Sequence, residues 1–444
     1  MTSFASAQLP VRMLSLFAVA AAAGLSLGAL AQEKAATPAA AATSAAPAFS
    51  MNGYWRTSFN TAANPTVEAS DTQSTSASAF SRHAQTGNYW NLNLSKSSEG
   101  GPAYNFKLHG SLPNSPAFPF GPSIKEMYAK LPAGEGMTAW AGLRELEEQR
   151  ERQMDIASPF NKDFYGMGLD AGPAKISLGM EKATQVRPGT VIPPGVGGAA
   201  PAAAATVATK DLSILGSYEV PVSDTLKVRP IILLTMHGGI PEDSVTKAKA
   251  VKGSTEFKVG AIINHGTGFI NNGQATVWFH SAPSDKTGET SGSNSTVGVL
   301  HSSAWDLGMA GLLTGFSLQS MSFKDKMPVL KVDGGAIVAD GTNTTTSTMK
   351  VSIGAQPVYY VTDHFHAALD FNYAMTTKKI AATDANLLTL TPILRYALAK
   401  NPVGTPQIYT SLTYGKYDAK VKKATNGEAT DSLITTQTGM EVWF

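Results

Sequence analysis

Cysteine is absent from the 444 residues, which excludes disulfides, thiolate metal sites and cysteine nucleophiles. It also closes the lipoprotein route to a membrane, because that anchor is built on a cysteine. Neither sign of charge dominates: 35 Lys and Arg stand against 33 Asp and Glu. Nucleic acid is therefore not an expected partner, since binding it needs a basic surplus on one face. Beyond Gln32 no apolar run reaches the ~18 residues of a spanning helix. A Gly-rich phosphate loop and a G-x-S-x-G elbow are both missing. Glu147 and Glu148 are adjacent, whereas glycoside hydrolysis needs carboxyls ~5–9.5 Å apart on either side of a sugar bond. His364 and His366 lack a third ligand at useful spacing. No enzymatic activity, metal or cofactor is expected.

The chain does contain a targeting pattern. Arg12 precedes an apolar stretch from Met13 to Leu30, and Ala29-Leu30-Ala31 fits a small-x-small cleavage site. Residues 1–31 are expected to be a signal peptide, with Gln32 the first mature residue. Residues 32–48 are rich in Ala, Pro and Thr without a core-forming pattern, and are expected to form a flexible tail.

From residue 49 to residue 444 the pattern changes to segments of about ten residues that alternate in polarity between turn residues. Phe49, Met51, Gly53, Trp55, Thr57 and Phe59 share one face of the first segment, opposite Asn52, Tyr54, Arg56, Ser58 and Asn60. Trp90, Leu92 and Leu94 alternate with Tyr89, Asn91, Asn93 and Ser95. Phe365, Ala367, Leu369, Phe371 and Tyr373 oppose His366, Asp370 and Asn372. Side chains alternate across a strand, so each segment offers one face to lipid and one to a wet interior. A soluble sandwich has the same period, and two further features separate them. Connections alternate between tight, as at Val220–Asp224, and long, as at Thr184–Thr209 and Ser281–Thr296; short periplasmic turns and long extracellular loops are the barrel habit. The final segment, with Ile434, Thr436, Thr438, Met440, Val442 and Phe444 on one face, ends on an aromatic residue, like the assembly signal of outer-membrane proteins. The expected fold is all-β, a transmembrane antiparallel β-barrel in the Gram-negative outer membrane, with lipid as its surroundings.

These residues resemble the maltoporin-type sugar porins. Gly53-Tyr54-Trp55-Arg56-Thr57-Ser58 is similar to the family's opening strand, and Tyr89–Leu94 to its second. Trp140-Ala141-Gly142-Leu143-Arg144 matches a Trp-Ala-Gly-x-Arg strand, after Leu131-Pro132-Ala133-Gly134 at the position of a Leu-Pro-Gly turn. Leu390-Thr391-Pro392, Leu412–Asp418 and Met440-Glu441-Val442-Trp443-Phe444 resemble the closing strands.

The resemblance implies an 18-stranded barrel with one loop folded inward as a constriction, assembled as a homotrimer, for guided diffusion of malto-oligosaccharide-like sugars and small ions. The other reading is a non-specific or differently selective diffusion porin. Carried over by position, Tyr54, Tyr89 and Trp443 match the aromatic slide on which sugar rings stack. Arg56 and Arg144 match its polar track, where ionised groups give the stronger hydrogen bonds to hydroxyls. Arg150, Glu151, Arg152 and Asp155 fall where the family's inward loop places mixed charge, which orients permeants across a narrow pore. Two positions depart from the pattern. Val361-Thr362-Asp363 replaces a late slide tryptophan, and the loop Ser111–Ser123 carries no tryptophan to reach a neighbouring subunit. A shortened slide leaves a smaller or different sugar open.

Overall fold

The computed structural model describes residues 48–60, 88–97, 101–112, 123–146, 159–160, 162–187, 205–239, 253–266, 270–283, 293–333, 336–377, 386–400, 402, 406–422 and 429–443. Every regular element among them is a strand. In chain order these are β1 (Ala48–Asn60), β2 (Asn88–Ser97), β3 (Ala103–Leu112), β4 (Ser123–Gly134), β5 (Met137–Leu146), β6 (Lys162–Ala171) and β7 (Ala174–Arg187). There follow β8 (Ala205–Tyr218), β9 (Val220–Ser223), β10 (Leu226–His237), β11 (Ser254–His265), β12 (Ile270–Pro283) and β13 (Ser293–Asp306). The chain closes with β14 (Ala310–Asp333), β15 (Ala336–Tyr360), β16 (Phe365–Thr376), β17 (Leu387–Ala397), β18 (Gln407–Lys422) and β19 (Ala429–Trp443).

Apart from β8 and β9, each strand pairs antiparallel with its sequence neighbours, and β1 pairs with both β2 and β19, so the sheet has no free edge. That closure is what lipid demands, because an unpaired backbone edge cannot be satisfied there. β8 and β9 both lie against β10 and form one line interrupted at Glu219. The wall is therefore the expected 18-stranded closed antiparallel barrel.

Burial follows strand parity, inside-out relative to a soluble protein. Along β16 and β17, Leu369, Phe371, Leu390 and Leu394 are exposed, while Asp370, Asn372, Thr389 and Arg395 are at most 1 % exposed. An apolar outer surface over a polar interior suits a hydrocarbon solvent. Tyr359, Phe365 and Tyr396 are outward aromatics at one end of their strands, at the level where an interfacial girdle sits.

That end carries the tight turns. Glu135-Gly136, Gly172-Pro173 and Asp224-Thr225 join their strands in two residues. Gly136 and Gly172 have φ of 67° and 57°, a conformation glycine adopts without Cβ strain. Backbone bonds tie the rim together: Gly172 N donates to Gly136 O, Glu219 N to Pro173 O and Gly266 N to Thr225 O. Lys400 Nζ, 2.8 Å from Asp363 Oδ1, links two further turns and holds that carboxyl below its ordinary range.

Some boundaries differ from the sequence reading. Leu131–Gly134 and Val220–Ser223 are strand, not turn, and each reversal comes one or two residues later. β7 and β8 take residues 184–187 and 205–209 from the expected loop, and β12 and β13 shorten the next one likewise. In each case the ladder continues past the apolar pattern, because backbone pairing does not require alternation once a neighbour is in place. β14 and β15 run to 24 and 25 residues, more than twice the ~9–11 needed to cross the hydrocarbon.

Glycine opens room on the inner wall of β6. A Cβ at Gly168 would collide with the Trp140 indole and the Ile176 carbonyl, so the indole lies flat on the neighbouring backbone. Gly168→Val is expected to cost about 1–3 kcal/mol, as overpacking does. A lower temperature for loss of the compact, detergent-resistant band on gels would show it.

Candidate functional site: the barrel lumen

Among the described residues, three groups of inward side chains bear on the site. The first lies on the closure seam. The backbone pairs Tyr54 with Trp443 and Arg56 with Glu441 across β1 and β19, and Arg56 with Tyr89 across β2. Positions 54, 89 and 443, far apart in sequence, thus meet at one place on the wall. Tyr54 Oη donates to Glu441 Oε1 at 3.1 Å, and Gln407 Nε2 donates to Oε2 at 2.7 Å. Arg56 Nε stands 3.8 Å from the same carboxylate. Glu441 is fully buried, which requires such compensation. The side chains of Tyr89 and Trp443 lie outside the described residues, as do Arg150, Glu151, Arg152 and Asp155.

The second group holds Arg144. Its guanidinium lies 5.1 Å from the ring centroids of both Tyr128 and Trp140, and Nη1 is 3.4 Å from Asp170 Oδ2. Stacking on two rings fixes a long side chain that would otherwise sweep the lumen. Nearby, Lys107 Nζ reaches Glu145 Oε2 at 3.0 Å, and Asn105 Nδ2 donates to Glu126 Oε2 at 2.7 Å.

The third group was not anticipated. Both ring nitrogens of His237 face carboxylates, Nδ1 toward Asp211 at 2.6 Å and Nε2 toward Glu256 at 3.3 Å. Lys258 Nζ lies 3.2 Å from the other Glu256 oxygen. Strand parity could have placed each residue inside; their convergence from β8, β10 and β11 depends on register.

Phe160 gives the lumen its shape. It stands two residues before β6, yet it packs in one buried apolar cluster with Leu215, Ile231, Leu233, Trp278 and Leu300. A Cβ on Gly260 of β11 would stand 3.0 Å from its ring. In sheet order β11 lies four strands from β6, roughly 19 Å along the wall at ~4.8 Å per strand. Phe160 therefore stands inside the barrel, away from the line of its own strand.

The family model for LamB porin matches residues 49–444. The chain belongs to the LamB porin family. It is a channel protein of the Gram-negative outer membrane, and the match spans the whole barrel. No curated protein matches it significantly in sequence. Among solved structures, OmpT of Vibrio cholerae in trimer form is 11% identical, with 90% of this chain and 100% of that one covered at a TM-score of 0.40. An anion-selective porin from Comamonas acidovorans is 12% identical, covering 90% and 100% at 0.41. OccK5 (OpdH) of Pseudomonas aeruginosa is 10% identical, covering 90% and 98% at 0.44. Likeness at this level carries no argument about what this LamB porin admits.

Proposed function

We propose that this LamB porin guides sugars of the maltose or short malto-oligosaccharide type, together with small ions, down their gradients. The observation that carries the reading is the seam, where backbone pairing brings Tyr54 and Trp443 opposite each other beside Arg56 and Glu441. A sugar has an apolar ring face and a polar rim. Aromatic positions beside ionised groups address both, and several weak contacts permit passage where one tight site would trap the permeant. Phe160, buried inside the barrel, narrows the path that permeants take. The protein acts as a homotrimer, and residues 1–31 direct its export.

Tyr54→Ala and Trp443→Ala are each expected to weaken sugar block of ion current while leaving open conductance roughly intact. Base–aromatic stacking sets the scale for a ring on an aromatic, about 1–3 kcal/mol; a sugar contact at the low end gives roughly a fivefold rise in half-saturation concentration. Planar-bilayer recording with maltose, sucrose and maltotriose measures this. If no sugar blocks the wild-type channel, it is a general diffusion porin.

A further inference from the structure

On the inner wall of β4–β7, next to the Glu126 carboxylate that reaches Tyr128, one group of side chains carries more cations than anions. Lys130, Arg144, Asp170 and Lys175 share the inner face: Lys130 is paired with Trp140 across β4 and β5, and Asp170 with Lys175 across β6 and β7. Asp170 Oδ2 receives both Lys130 Nζ, at 3.7 Å, and Arg144 Nη1, at 3.4 Å. Lys130 also lies within electrostatic reach of Lys175. Among the described residues no carboxylate forms an ion pair with Lys175, so three cations share one anion.

The group is also built onto an aromatic surface. Lys130 Nζ is 5.9 Å and the Arg144 guanidinium 5.1 Å from the Tyr128 ring centroid. The Tyr128 ring meets Trp140 edge-on, with centroids 6.3 Å apart. Arg144 is held, at 14 % exposure, but Lys130 keeps 32 % of its side chain open. A half-buried cation with surplus charge in a lumen attracts anions, because low-dielectric walls focus its field. Beside it stands the partly buried Tyr128 ring, the aromatic surface nearest the cations.

We infer that Lys130, Lys175, Arg144 and Tyr128 form a subsite for sugars that carry an anionic group, such as a uronate or a sugar phosphate. The ring would rest on Tyr128 while the anion engages Lys130 and Lys175. The inference rests on the sugar-channel reading and narrows its permeant class.

The test compares block of ion current by glucose 6-phosphate, glucuronate, glucose and maltose, in wild type and in the Lys130→Gln/Lys175→Gln double variant. A charge-assisted hydrogen bond is worth about 1.5–3 kcal/mol, so the acidic sugars are expected to block at roughly tenfold lower concentration than glucose. The double variant should erase that advantage and leave block by maltose unchanged. Reversal potentials in a KCl gradient, which need no sugar, should shift toward cation preference in the variant. If neutral sugars block while acidic ones block no better, or the variant retains their advantage, this subsite is overturned and the sugar channel stands. If only acidic sugars block, the subsite stands and the maltose reading falls. If none blocks, both fall.

Discussion

Replacing Phe160 with alanine is expected to widen the channel. The ring is fully buried in a cluster with Leu215, Ile231, Leu233, Trp278 and Leu300, side chains of β8, β10, β12 and β13. Phe→Ala in a packed core costs about 3–5 kcal/mol. The β-barrel is held by its own ladder, so that cost falls chiefly on the seating of residue 160 inside it. Even the lower figure changes a docked-to-undocked ratio by about two orders of magnitude, at 1.4 kcal/mol per factor of ten. Single-channel conductance should rise, with larger current noise and weaker sugar block, while the band shift that reports barrel closure persists. Unchanged conductance in a folded Phe160→Ala protein would show that this segment does not set the bore.

The largest loss of stability is expected from Glu441→Ala. Glu441 accepts from Tyr54 and Gln407 and stands beside Arg56, tying β1, β18 and β19 where the barrel closes. Arg56 and Glu441 side chains are 7% and 0% exposed, so the truncation takes an anion from beside a buried cation. Breaking such a pair costs about 3–5 kcal/mol. Glu441→Gln keeps one acceptor for Gln407 and turns the other into a donor that the Tyr54 hydroxyl can accept, and it should cost less. Urea unfolding of the protein in lipid vesicles orders the three proteins. Wild-type stability in Glu441→Ala would mean that the seam is held by backbone pairing alone.

The two residues were legible to different degrees. Glu441 lies on the inward parity of a strand whose outward partners are Met440 and Val442, and that parity can be read from the chain. Its partner Tyr54 is 387 positions away, and nothing local to either residue announces the bond. Arg144 was placed in the lumen by its position after Trp140-Ala141-Gly142-Leu143. Its carboxylate, Asp170, sits in an unremarkable strand and joins the site only because β5 and β6 align Thr138 with Asp170. Phe160 gave no signal, being one apolar residue next to a charged run. Its importance comes from where its ring packs.

What the sequence by itself determined was the strand period, the face that each residue presents and, through the resemblance, the family and its barrel. Those are local properties: side chains alternate every residue whatever the neighbouring strand. Only the tertiary structure decided the register around the closed sheet, and register brings Tyr54 to Trp443, Arg144 to Asp170 and His237 between Asp211 and Glu256. It also decided that Phe160 turns inward. A one-residue slip in any pairing would preserve much of the local pattern and carry every side chain of that strand to the other face.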